Sequence, residues 1–198
     1  MRQVLVALVF VAVAMPASAE LPTVLLIGDS IREGYAPLVA KKLEGVAVVR
    51  SPKQNCGDTA LTKASIDAWL AESKPLLVHW NNGLHDLKRS KKTALYQVPL
   101  PDYAANLKIV AEAIRKVTPH VLFATTTPIV DDRHSVTDAA FNWFDKDVRA
   151  YNEKAAETLL PLGIPVHDLN RIVHDGDPAK LLDKDGAQIG RASCRERV

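Results

Sequence analysis

Cysteine is scarce: Cys56 and Cys194 are the only two in 198 residues, too few for a disulfide framework. Neither a Cys-x-x-Cys pair nor a His-x-x-x-His pair occurs, so no metal centre has support from spacing. Gly-x-Gly-x-x-Gly and Gly-x-x-x-x-Gly-Lys-Ser/Thr are also missing, which removes the usual cradles for dinucleotides and nucleoside triphosphates; no cofactor is implied. Without Gly-x-Ser-x-Gly, the strand-to-helix elbow that presents a serine in α/β-hydrolases is excluded too. Basic residues form no stripe with interleaved aromatics, so nucleic acid is not an expected partner. The basic cluster Lys88-Arg89-Ser90-Lys91-Lys92 reads as a solvated loop.

Long apolar runs are equally rare. The longest, Val4 to Met15, falls short of the roughly 20 residues that cross a bilayer. It follows Arg2 and precedes Pro16-Ala17-Ser18-Ala19, the pattern of a cleavable export leader over residues 1–19, cut after Ala19. A periplasmic or secreted chain that no longer engages the membrane after cleavage is the expectation. What remains is ordinary for one globular core, with 47% hydrophobic and 24% charged residues overall.

Apolar runs and helical periodicities alternate along that remainder. Thr23 to Ile27 is a β-branched and leucine run ending in Gly28-Asp29-Ser30, as a buried parallel strand does at the carboxyl edge of its sheet. A helix is expected to open at Gly34–Pro37 and to stop at Gly45. Val46–Val49, Leu76–Trp80, Val121–Thr125 and Ile164–Leu169 read as four further strands. Helices over 60–72, 102–117 and 145–160 lie between them, and 130–138 reads as an exposed loop or lid. This alternation predicts an α/β fold: a three-layer αβα sandwich on a five-stranded parallel sheet, in the flavodoxin-like order 2-1-3-4-5, which makes the first strand central.

Three strand ends then carry polar loops to one edge: Gly28-Asp29-Ser30, Asn55-Cys56-Gly57 and Asn82-Gly83-Leu84-His85-Asp86. Their order resembles the SGNH hydrolases, the GDSL-type esterases, over the stretch from Thr23 to Gly186. The resemblance implies that Ser30 is a catalytic nucleophile and that the oxyanion of an ester intermediate is held by the N–H groups of Ser30 and Gly57 and by a third donor. That donor is an asparagine in the family's Gly-x-Asn-Asp motif, which here reads Gly83-Leu84-His85-Asp86. His85 is a candidate, since a neutral imidazole donates one hydrogen bond, and Asn82 and Asn55 are rivals. Asp29 and Asp86 fit turn braces. His79, His134 and His174 read as core or surface residues, and Trp80, Trp143 and Phe144 as core before cleft.

The family's base and its orienting acid sit near the carboxyl end as Asp-x-x-His. Here the motif is Asp185-Gly186-Ala187-Gln188, so the acid is present and the base is replaced by an amide that takes no proton at neutral pH. The following residues, Ile189 to Val198, are the in-frame translation of ATCGGAAGAGCGTCGTGTAGGGAAAGAGTG, part of a common short-read library adapter. With an adapter origin for this tail, the two bases before it, AG, would complete codon 188 as CAG with only its leading C native, and since histidine codons begin with C, histidine is the residue expected there in the natural gene. Residues 20–188 are thus expected to form a truncated SGNH-like domain, with a non-native tail over 189–198. The formal net charge of +2 includes one leader arginine, and three arginines against one glutamate in the tail, so residues 20–188 carry −1. The expected activity is hydrolysis of a small acyl ester, acetyl by analogy and carried on a carbohydrate. In another class, the same loops define a non-catalytic glycan-binding domain.

Overall fold

A computed structural model describes residues 20–135 and 140–189. Five strands form one parallel sheet: β1 (Thr23–Ile27), β2 (Val48–Arg50), β3 (Leu77–Trp80), β5 (His120–Ala124) and β7 (Val166–His167). Their order is β2-β1-β3-β5-β7, which puts β1 in the interior of the sheet with its carboxyl end beside the loops after β2 and β3. The expected order, 2-1-3-4-5 over five strands, is therefore observed. Two short strands between them, β4 (Arg89–Ser90) and β6 (Phe141–Asn142), pair antiparallel in a separate ribbon.

Side chains alternate between the two faces of the sheet. Leu25, Ile27, Val78, Trp80, Val121 and Phe123 point to one core, which is closed by α2 (Thr59–Ser73), α3 (Leu100–Val117) and α5 (Asp145–Leu159). Trp80 and Phe123 meet edge to face at 5.1 Å in its centre. Trp80 is fully buried and Trp143 nearly so, so both are core residues. On the opposite face α1 (Ser30–Lys42) lies along β1 and β2, and α6 (Leu169–Asp175) and α7 (Pro178–Leu181) follow β7. Between α1 and α6 the sheet opens into an apolar groove of about 600 Å³, lined by Val24, Leu26, Val39, Leu43, Leu77 and Ile172 among others.

Two local expectations are revised. The first helix starts at Ser30, four residues before Gly34, because the Asp29 carboxylate accepts the Ile31 N–H at 2.9 Å and caps it; Pro37 lies inside the helix. The stretch after Val130 begins with α4 (Asp131–Ser135), and His134 in it is 3% exposed. Arg133 donates to the carbonyls of Ala179, Leu182 and Asp183, which docks α4 on the carboxyl-terminal loop. Residues 136–139 of the expected lid, the leader over 1–19 and the tail from 190 lie outside the described residues. Among the described residues no helix is long and apolar enough to cross a membrane.

Candidate active site

Buried Leu25, Leu26 and Ile27 carry the chain to Gly28-Asp29-Ser30 at the carboxyl edge of the sheet. Ser30 is the first residue of α1, where a backbone N–H has no intrahelical acceptor and the helix dipole favours negative charge. Asp29 beside it is 2% exposed and bound to the Ile31 N–H, so it braces the turn; burial pushes its carboxyl up to about 6 against that hydrogen bond.

The loop after β2 is held to this turn by Arg32. Its buried guanidinium donates to the carbonyls of Gly28, Pro52 and Gln54 at 3.0–3.3 Å, and the Cys56 N–H donates to Gly28 O at 3.2 Å. Cys56 is buried, and desolvation raises its thiol pKa. Gly57 follows with φ of +60°, a left-handed conformation that favours glycine. Its N–H donates to Asn55 Oδ1 at 2.9 Å, and its carbonyl accepts Asn82 Nδ2 at 3.1 Å.

The loop after β3 is held as firmly. Asn82 is 1% exposed, its Oδ1 accepting Trp80 Nε1 at 2.6 Å while its carbonyl accepts the Tyr103 hydroxyl at 3.0 Å. Both ends of the Asn82 amide are thus engaged within the protein. Asp86 is fully buried; one carboxylate oxygen accepts the N–H of Thr59 at 2.9 Å and its hydroxyl at 2.5 Å, which ties the loop to the start of α2. Burial dominates over these bonds and raises the Asp86 carboxyl to about 7. His85, between them, is half-buried, with Nδ1 3.1 Å from the ammonium of Lys88. Burial first, and Lys88 second, lower its pKa to about 4, so the ring is neutral at physiological pH.

The fourth component comes from the carboxyl-terminal loop. Asp185 Oδ1 accepts the N–H groups of Ala187 and Gln188, each at 3.0 Å, closing a turn that aims residue 188 at α1. The Gln188 amide nitrogen then donates to Ser30 Oγ at 2.6 Å. Ser30, Asp185 and the residue at the expected base position are therefore assembled, and Gly57 and Asn82 are bonded to one another beside them. Of the other histidines, His79 is under the sheet's opposite face with its Nε2 3.5 Å from His167 Nδ1, and His174 is exposed on α6. His134, in α4, is stacked on Phe141, tilted against Trp143 and packed beside the Asp185–Gly186 loop.

Two residues of this arrangement went unread in the sequence. Arg32 falls before the expected helix start and looks like any solvated arginine of a turn; its burial depends on the loop after β2. Lys88 belonged to a cluster read as solvated, yet its ammonium lies 4.8 Å from the Phe141 ring centre and 5.9 Å from that of Trp143. Its separation from His85 by three positions was the available signal.

No protein-family model matches the sequence, and no curated protein does either. Solved structures match closely in shape. A lipase/acylhydrolase from Enterococcus faecalis superposes with a TM-score of 0.71 at 16% identity, over 88% of this chain and 90% of its own. The acetyl xylan esterase AlAXEase gives 0.67 at 15%, covering 87% and 94%. A catalytic mutant of an acetylxylan esterase from Geobacillus stearothermophilus gives 0.67 at 17%, covering 88% and 89%. The chain has the three-layer SGNH hydrolase fold. The resemblance read from its loops is borne out at the level of that fold.

Proposed function

We propose that this protein is an exported serine esterase that removes small acyl groups, of acetyl type, from carbohydrate, and that in this chain the catalytic base has been replaced. The observation that carries the reading is the contact of Gln188 with Ser30 Oγ at 2.6 Å, on a turn held by the Asp185 carboxylate. An imidazole on the same backbone accepts the hydroxyl proton as Ser30 attacks the ester carbonyl, then returns it to the leaving alcohol. Asp185 orients that ring and stabilises its cation. Glutamine does neither: its N–H donates to the hydroxyl, the reverse of what a base does, and neither end of the amide takes up a proton at neutral pH.

The oxyanion of the tetrahedral intermediate is met by the Ser30 N–H at the positive end of α1, by the Gly57 N–H and by a ring N–H of His85. The Gly57 N–H turns from Asn55 Oδ1 to the oxyanion when substrate is bound. Asn82, with both ends of its amide engaged, braces Gly57. Acetylxylan esterases among the structures of like shape support an acetylated saccharide as substrate.

The test is Gln188→His. The restored chain is expected to hydrolyse p-nitrophenyl acetate at least about 10³-fold faster than the present one, the scale on which a triad base matters. Adding Ser30→Ala should abolish the gain. No turnover in the folded Gln188→His protein, together with retained affinity for xylan oligosaccharides, would favour the glycan-binding alternative.

A further inference from the structure

An imidazole in place of an amide donor raises a difficulty. A side-chain amide always presents N–H protons, whereas a neutral imidazole carries one proton that can sit on either nitrogen. The surroundings of His85 resolve it. The Lys88 ammonium, 3.1 Å from Nδ1, has three protons and no lone pair, so Nδ1 must be the acceptor and the single ring proton is left on Nε2.

Lys88 is itself held in place. Its ammonium lies over the rings of Phe141 and Trp143, at 4.8 and 5.9 Å from their centres. Trp143 is fixed in turn by its Nε1, which donates at 2.8 Å to the carbonyl of Leu84, the residue before His85. Phe141 belongs to β6, whose pairing with β4 begins one residue after Lys88. The small ribbon is thus a platform that returns to the His85 loop at both ends. Other charges act on the pair: Asp58 on both groups, favouring the cation in each, and Asp29 on Lys88. Burial outweighs Asp58 at His85 and leaves the ring neutral.

We propose that Lys88 is a positioning residue that locks His85 as the Nε2–H tautomer, making a histidine serve as a one-way donor to the oxyanion. The inference rests on the reading of His85 as that donor, but its first test needs no catalysis. In the chain as it stands, nitrogen-15 NMR of the histidine rings, with His85 assigned by the signal lost in His85→Asn, should show a pyridine-like Nδ1 and a protonated Nε2 at pH 7. Lys88→Met, close in volume, should give averaged tautomers and move the protonation midpoint of His85 up; Lys88→Arg, which keeps a cationic donor, should restore the native pattern. In the Gln188→His protein, Lys88→Met should lower kcat several-fold at pH 8 with KM within twofold. A protonated Nδ1 in the unaltered chain, or a Lys88→Met spectrum identical to it, overturns the proposal. A locked tautomer in a Gln188→His protein that remains inert overturns the esterase reading and leaves the lock standing.

Discussion

Two buried carboxyls, Asp29 beside the candidate nucleophile and Asp86 in the loop after β3, make this edge of the sheet sensitive to pH before any catalysis is considered. Burial raises Asp29 to about 6 and Asp86 to about 7. A carboxyl with a higher pKa folded than unfolded binds its proton more tightly in the native state. Its contribution to stability is therefore full below the ordinary aspartate value near 4 and is lost as pH rises through the folded value. The melting temperature is expected to fall between about pH 4 and 7 through these two groups. Asp86→Asn keeps a carbonyl oxygen to accept both Thr59 donors and removes the charge, so it should flatten the upper part of that fall in a series of thermal melts. The bracing role of Asp29 was legible in the sequence, because a short polar side chain beside a strand end caps its own turn, and Asp86 was legible as a brace although the group it holds, Thr59, belongs to another element. Lys88 was not, since its partners are one ring in β6 and another beyond it, more than fifty positions away.

Elements set how precisely those residues meet. The strands were readable from β-branched and leucine runs because a parallel sheet covered on both faces has no polar side to interrupt them. The start of α1 was misplaced by four residues. A proline and a glycine looked like an opening, but Pro37 costs one hydrogen bond in a helix already begun by the Asp29 cap. The β3 loop shows a tighter constraint: Gly83 sits at φ of +146°, and a Cβ there would lie 2.4 Å from the buried Thr126 Oγ1. That approach brings the loop bearing Asn82 and His85 against the end of β5. Gly83→Ala combines a backbone conformation that L residues avoid with a steric overlap, and should cost at least about 2 kcal/mol in urea unfolding. In the Gln188→His background it should also lower kcat, because His85 moves with the loop. Gly83→Ala combined with Thr126→Ser should recover little, since a serine keeps the clashing oxygen, whereas Thr126→Ala should recover the steric part alone.

At the scale of the molecule the two faces of the sheet are unequal. Three long helices close one face, while on the other α1 and α6 leave the groove of about 600 Å³ over Val24, Leu26 and Leu77. Parallel sheets are stable with both faces covered, and a contiguous apolar surface of this kind marks an interaction site or an aggregation liability. Ile189, the last described residue after the Asp185–Gln188 turn, lines the same groove. Tyr35, His79 and Thr127 also line it, and each has a buried polar atom without a hydrogen-bond partner. We read residues 189–198 as adapter-derived. The native continuation after Ala187 is then expected to begin with histidine and run on as a helix with one apolar face, which seats in the groove and also offers partners to those polar atoms. Sequencing the gene past codon 187 and expressing it to its next stop codon tests this directly. The extended protein should melt several degrees higher than the present chain, because each large apolar side chain newly buried contributes on the order of 1 kcal/mol or more. It should also bind less hydrophobic dye in native buffer than the present chain. A native codon 188 other than histidine, or a polar continuation that leaves dye binding unchanged, would break the link between the missing base and the uncovered face, since one event explains both only if the same short stretch of gene was lost.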